Sequence, residues 1–377
     1  MKNFFFGAVC LISTAIIFDQ TSMAQTNENT LRWLAVAGPV PELKIPATSQ
    51  AWEKKRAEIR ARLWQLLGKL PPRPKVPKVE TLSREDRGDF ILEKFQFDNG
   101  AGAIVPGYLL LPKTAAKKSP AILYNHWHGS EYDLGKEELF LQKHTPQMPG
   151  PTLAKRGYVV LCIDAYCFGE RYEKGPAGLF PSTNSLAVRQ AGAARELSAS
   201  KFNLWFGRTL WGMILRDDLM ALDYLCSRPE VDRKNIGVTG MSMGATRSWW
   251  LMALDDRIKT GVPVACFTRY QNLMRHDSLP AHGIYYFVPG MLNHFDTEAV
   301  VACLAPRPVL FMTGDSDAGS PVDGIHFIES KVKNVYALYD EGKKFQSHIY
   351  PGLGHVYLPE MWEKMLAWMD AHLDRPK

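Results

Sequence analysis

Hydrophobic positions along this chain recur with two periods, and the alternation between those periods predicts its elements. Short apolar or alternating runs, the signature of strands, fall at Phe90 to Phe97, Ile104 to Leu111, Ala121 to Asn125, Tyr158 to Ile163, Ile236 to Thr239, Thr260 to Ala265, Val309 to Met312 and His348 to Tyr350. Segments of helical period follow at Leu210 to Ser227, Met243 to Asp255, Val322 to Lys333 and Pro359 to Leu373. From the third strand onward, strands and helices alternate. That pattern predicts an α/β fold with a mostly parallel central sheet, helices on both faces and antiparallel strands only at the start. Upstream, Gln50 to Leu70 reads as a helix with Trp52, Ile59, Leu63, Leu66 and Leu70 on one face, ended by the stiff Pro71-Pro72-Arg73-Pro74-Lys75-Val76-Pro77. The apolar face is expected to pack on the rest of the chain. Lys54, Lys55, Arg56, Arg60 and Arg62 are expected on a solvated face, the alternative being contact with an anionic surface.

The predicted strand at Ile236 runs into Gly240-Met241-Ser242-Met243-Gly244 and then a helix. Strand, G-x-S-x-G and helix in that order describe a nucleophile elbow, in which a strained turn lifts the serine hydroxyl above the sheet edge and glycines clear the space beside it. Ser242 is the candidate nucleophile. A serine needs a base, and the base needs an orienting carboxylate. His355, on the Gly352-Leu353-Gly354 turn behind the last predicted strand, is the candidate base; His348 begins that strand and His372 lies in the last helix. Three carboxylates, Asp315, Asp317 and Asp323, follow the strand ending at Thr313. The oxyanion formed during acyl transfer needs fixed N–H donors. Met243 supplies one, and His128, through its backbone, is the candidate for the other, on the loop after Asn125. His126 and His128 could alternatively begin a metal site, but no completing cluster stands at a telling spacing, so no metal is expected.

Spread over about Lys94 to Leu373, a set of segments resembles the α/β-hydrolase superfamily, and within it the dienelactone-hydrolase-like and acetyl xylan esterase-like bacterial carboxylesterases. They are Tyr124 to Asp133, Ala154 to Val160, Asp164 through Phe168-Gly169-Glu170-Arg171, Gly207-Arg208-Thr209, Asp223-Tyr224-Leu225, Arg228 to Asp232, the elbow, and Ala253 to Ile258. The resemblance implies a Gly-x-x-Asp-x-x-x-Pro acid loop. Gly314, Asp317 and Pro321 fit it, making Asp317 the candidate acid and Asp315 the alternative. Where such enzymes often carry His-Gly, this chain has His126-Trp127, and Trp127 joins Arg171 as a candidate substrate contact. Arg171 would orient a carboxylate or, alternatively, pair with Glu170 or Asp164. The resemblance further implies a serine carboxylesterase, needing no cofactor, acting on small esters such as acyl groups on carbohydrate. Lactone hydrolysis is the alternative, although the dienelactone enzymes use cysteine where this chain has Ser242. A non-catalytic carbohydrate-binding protein on the same fold is the other.

Composition adds limits. The chain has 377 residues, 46% hydrophobic, with a mild net charge of +6 from scattered basic residues, which does not suggest nucleic-acid binding. Lys2, the apolar run Phe4 to Phe18 and Ser22-Met23-Ala24 read as a signal peptide cleaved after Ala24, directing the protein to the periplasm or medium without a stable membrane anchor. The expected organisation is therefore 1–24 signal peptide, 25–78 helical extension and Pro-rich linker, and 79–377 catalytic domain. Cys162, Cys167, Cys226, Cys266 and Cys303 remain after cleavage and read as buried thiols, one disulfide being the alternative. The stretch from Asp164 to Arg208 is too long for a simple connection. Its aromatics, Tyr166, Phe168, Tyr172, Phe180, Phe202, Trp205 and Phe206, would either shape the mouth of the site or pack among themselves.

Overall fold

The computed structural model describes residues 20–113, 118–172 and 185–374. Two compact units divide the chain, Met1–Pro39 and Val40–Lys377. The first holds helix α1 (Gln20–Ala37). Of the expected signal peptide, residues 1–19 lie outside the described residues.

The second unit is built on nine strands: β1 (Val79–Asp86), β2 (Phe90–Asp98), β3 (Ile104–Pro112), β4 (Ser119–Asn125), β5 (Val159–Ile163), β6 (Val231–Met241), β7 (Ile258–Val264), β8 (Val309–Gly314) and β9 (Phe345–Tyr350). They form one sheet in the order β1-β2-β3-β5-β4-β6-β7-β8-β9. Pairings from β1 through to β5 are antiparallel and all later ones parallel. Every residue of β4, β5 and β8 is buried, as continuous apolar strands must be when helices cover both faces of a parallel sheet. Side-chain alternation divides that burial. Ala121, Leu123, Val159 and Leu161 join one core cluster, and Ile122, Tyr124, Val160 and Cys162 the other.

The helices are α2 (Ser49–Leu67), α3 (Pro149–Lys155), α4 (Ser185–Trp205), α5 (Leu210–Ser227), α6 (Met243–Leu254), α7 (Tyr270–Arg275), α8 (Thr297–Ala302), α9 (Val322–Ala337) and α10 (Pro359–His372). Among the described residues none is long and apolar enough to cross a membrane. Helix α2 starts at Thr48, whose hydroxyl accepts the Ala51 N–H, and buries Trp52, Ile59, Leu63 and Leu67. Lys54 and Arg62 are exposed, as expected, but Arg56 and Arg60 depart from the expected solvated face. Arg56 donates to Cys303 O at 2.8 Å and pairs with Asp256, which Arg60 grips at 2.8 Å through both terminal nitrogens. Those contacts make α2 part of the Val40–Lys377 unit, so no boundary between compact units falls at residue 78. The five cysteines are free thiols, four of them buried.

Candidate active site

Parallel strands point their carboxyl ends to one edge of the sheet, and the neighbours of β4 define where that edge opens. The chain leaves β4 for β5 on one side and later returns to β6 on the other, a switch point at which a crevice forms. The residues after β4, β6, β7, β8 and β9 converge there: His126 to Ser130, Ser242, Cys266, Asp317 and His355.

Ser242 has φ 60° and ψ −119°, a conformation costly for any residue with a Cβ. Its glycine neighbours are steric requirements. A Cβ on Gly240 would lie 2.2 Å from Asn125 O, and one on Gly244 would lie 2.0 Å from the same oxygen. The turn therefore exists only where β4 can press against it. Ala265 and Cys266, just past β7, also have positive φ, 65° and 50°. Their path brings Cys266 Sγ within 3.7 Å of Ser242 Oγ. Burial, and then the nearby Asp317 charge, push the Cys266 thiol up to about 12, so it remains a protonated donor at neutral pH.

His355 Nδ1 and Asp317 Oδ2 are 2.9 Å apart. The same carboxylate accepts the Gly319 N–H on Oδ1 at 2.9 Å and the Ser320 hydroxyl on Oδ2 at 3.1 Å. Burial alone would raise the Asp317 pKa, but the bond from His355, with its charge, and these two donors outweigh it and hold the carboxyl below its ordinary range. Asp315 points elsewhere, accepting Gly352 N–H at 2.7 Å and the Ser316 hydroxyl at 2.9 Å. Ser242 and His355 line one cavity of about 400 Å³. No hydrogen bond joins them among the described residues; catalytic bonds of this kind commonly close only in the loaded complex.

Backbone donors around the cavity can be sorted by what already occupies them. Ser242 N–H is spent on Val264 O at 2.9 Å, Trp127 N–H on Glu138 Oε2 at 2.7 Å, and Ser130 N–H on His128 Nδ1 at 3.0 Å. Met243, at the first position of α6, and His128 stand next to these. Buried Glu138, which also accepts the Tyr124 hydroxyl at 2.5 Å, anchors the loop; desolvation lifts its pKa to about 7. His126 lies beneath, with Nδ1–H on Trp127 O at 2.8 Å and Nε2 accepting Ala165 N–H at 3.0 Å. Burial drives its pKa well below the ordinary value, and both ring nitrogens are engaged. His128 is engaged as well, its Nε2–H donating to Glu196 Oε2 at 2.8 Å. Among the described residues no group of three or more His, Cys, Asp or Glu is placed to hold a metal ion.

Trp127 does line the cavity, stacked on His144 with ring centroids 3.4 Å apart. Arg171 does not, which corrects the expectation that it meets substrate. It is fully buried, donates to Asp164 O at 2.9 Å, pairs with Asp217 at 3.0 Å and covers the Tyr166 ring. Its guanidinium balances Asp217 inside the protein and faces a separate cavity with Phe202 and Arg208. Phe180 lies outside the described residues, and Trp205 and Phe206 are exposed at the end of α4. The wall facing Ser242 comes instead from Ala193 and Glu196 of α4 and from Pro280 to Tyr285 in the β7–β8 connection. Glu196, His282 and Ser320 were missed in the sequence. Only Ser320 had a local signal, three residues past Asp317 on the acid loop.

A nine-stranded, mostly parallel sheet with an elbow serine at its switch point is the α/β-hydrolase fold. The Abhydrolase family (Abhydrolase_7) matches residues 32–354, and the chain belongs to it. It is 37% identical over 284 residues to "Putative hydrolase YtaP" of Bacillus subtilis (strain 168), an alignment covering 75% of this chain and 88% of that one. In three dimensions it is similar to the glucuronoyl esterase from Solibacter usitatus, with a TM-score of 0.58, 19% identity and coverage of 88% and 98%. It is likewise similar to acetyl xylan esterase 1 from Thermoanaerobacterium sp. JW/SL YS485, with a TM-score of 0.53, 20% identity and coverage of 92% and 97%. At these identities the structural likeness is one of fold.

Proposed function

We propose that the protein is an exported serine carboxylesterase that removes acyl groups, acetyl foremost, from carbohydrate esters. The observation that carries this reading is the His355–Asp317 bond of 2.9 Å on the cavity that also holds Ser242. Ser242 Oγ attacks the ester carbonyl, His355 takes its proton and returns it to the leaving alcohol, and Asp317 stabilises the imidazolium. Met243 and His128 N–H groups receive the oxyanion, and water activated by His355 then releases the acid. The fold neighbours described as glucuronoyl and acetyl xylan esterases favour an ester of carbohydrate over a lactone.

A fluorophosphonate probe tests the nucleophile. One label per chain is expected, lost together with p-nitrophenyl acetate hydrolysis in a folded Ser242→Ala variant. Labelling that survives in that variant removes Ser242 from the role. Mature protein offered acetylated xylan, methyl glucuronoyl esters and a dienelactone then ranks the substrate classes. Preference for the lactone would replace this reading with the alternative one.

A further inference from the structure

Glu196 is the group that the chemistry above leaves unused. It is 3% exposed, it lines the cavity with Ser242, and it sits on α4, outside the sheet. Its carboxylate accepts His128 Nε2–H at 2.8 Å and the Tyr132 hydroxyl at 3.4 Å. Ser130 N–H donates to His128 Nδ1, so that ring is fixed as the Nε2–H tautomer and brings no positive charge. Gly283 lines the same cavity, and a Cβ there would come within 2.7 Å of the Tyr285 ring and 2.8 Å of Glu196 Oε1.

No lysine or arginine is among the described residues lining this cavity. Arg195, next to Glu196 in sequence, is turned onto the Tyr172 ring, 4.4 Å from its centroid. His282, also on the wall, donates to Gly319 O at 2.9 Å, and burial holds its pKa below the ordinary value. His355 serves as a base only while neutral. A carboxylate in such surroundings accepts hydrogen bonds from hydroxyl groups and repels a second carboxylate. Beside it, the partly exposed Trp127 lines the cavity with its ring stacked on His144, and Tyr285 is buried with its ring stacked on His128.

We infer that Glu196 makes this cavity a receptor for neutral, hydroxyl-rich sugar units and excludes sugars carrying a free carboxylate. The inference rests on reading the cavity as the substrate's, and it narrows the substrate to acyl esters of uncharged glycosides. A like charge within about 8 Å at an effective dielectric constant near 20 weakens binding by at least about tenfold.

The probes are methyl β-D-glucopyranoside and methyl β-D-glucuronide, which differ only in a CH2OH or a carboxylate at one carbon. Binding to the mature protein is followed by ligand-observed NMR, a readout that needs no turnover. The glucoside is expected to bind at least about tenfold more tightly than the glucuronide. Glu196→Gln, which keeps an acceptor and loses the charge, should shrink that ratio towards one while melting near the parent temperature. Ala193→Trp, at an exposed position on the cavity wall, should abolish binding of both and so locate the site. Equal binding by the unsubstituted protein, an unchanged ratio in Glu196→Gln, or no glucoside binding would each overturn the inference. Should Glu196→Gln not fold, the ratio in the unsubstituted protein together with Ala193→Trp decides. Turnover of p-nitrophenyl acetate, measured alongside, separates the two readings. Turnover without sugar discrimination refutes the role of Glu196 alone, and discrimination without turnover on any ester refutes the esterase.

Discussion

Replacing Asp317 by asparagine asks the structure a question with a calculable answer. Three donors converge on the carboxylate: His355 on Oδ2, Ser320 on Oδ2 and Gly319 N–H on Oδ1. Asparagine has one acceptor oxygen. The Ser320 hydroxyl can rotate away, but the Gly319 N–H is fixed backbone, and facing it with an amide NH2 would cost about 1–3 kcal/mol. The oxygen therefore stays at the Oδ1 position and the NH2 takes that of Oδ2. It then donates to His355 Nδ1 and drives the ring hydrogen onto Nε2, the nitrogen that must accept the serine proton. A base in the wrong tautomer costs up to roughly 10⁴ in kcat, or about 5.5 kcal/mol of barrier. Steady-state hydrolysis of p-nitrophenyl acetate at pH 7.5 should show kcat down by about 10³- to 10⁴-fold with KM changed less than about threefold. Asp315→Asn should fall by less than about tenfold, because Asp315 holds Gly352 and Ser316 and leaves His355 alone. A folded Asp317→Asn within tenfold of the parent refutes the reasoning; a dead but folded Asp315→Asn would move the acid to that position.

Further outcomes follow from the same geometry. Gly244→Ala sets a methyl 2.0 Å from Asn125 O, so it should destabilise the fold by about 2–3 kcal/mol and abolish turnover. Gly342→Ala, which meets nothing within 4 Å, should change neither in thermal melts and assays. Glu138→Ala frees the Trp127 N–H and the Tyr124 hydroxyl, and kcat should drop roughly tenfold or more as the loop loosens, with Glu138→Gln recovering part of it through its remaining acceptor. A loss in Glu138→Ala confined to KM would contradict that anchoring. His126 is held neutral when folded, whereas in the unfolded chain it takes up a proton near pH 6.5. Stability should consequently fall below pH 6.5, by up to about 1.4 kcal/mol per pH unit from this one ring. Urea midpoints from pH 7.5 to 5.5 should decline less steeply in His126→Gln, and equal slopes would count against it.

Much of the sheet could be read from the chain because continuous apolar runs such as Ala121 to Asn125 and Val309 to Met312 have no use outside a covered parallel sheet. Helices α5 and α6 carried equally plain patterns. Strand β1 did not, since Val79–Asp86 is an edge strand of mostly exposed, charged residues with no alternation to detect. Helix α4 was hidden inside what read as an overlong connection. Ser242 and its glycines announce themselves because one backbone turn imposes all of them. Glu196 and His282 announce nothing, for each is defined by partners 37 or more residues away. Arg171 was misread for the converse reason: a lone arginine beside a glutamate says nothing of Asp217, which sits on a helix 46 positions further along the chain.

The contact between Glu196 and Gly283 also constrains the history of the protein. A methyl group at 283 would meet the Tyr285 ring at 2.7 Å as well as the Glu196 carboxylate at 2.8 Å, so a smaller side chain at 196 would not by itself free the position. A lineage altering its preference for sugars can exchange the glutamate and still be bound to the glycine. That glycine, in the β7–β8 connection, is held in place from two sides, by a ring two residues further on and by a residue on α4, 87 positions earlier in the chain, that has no part in the chemistry of ester cleavage.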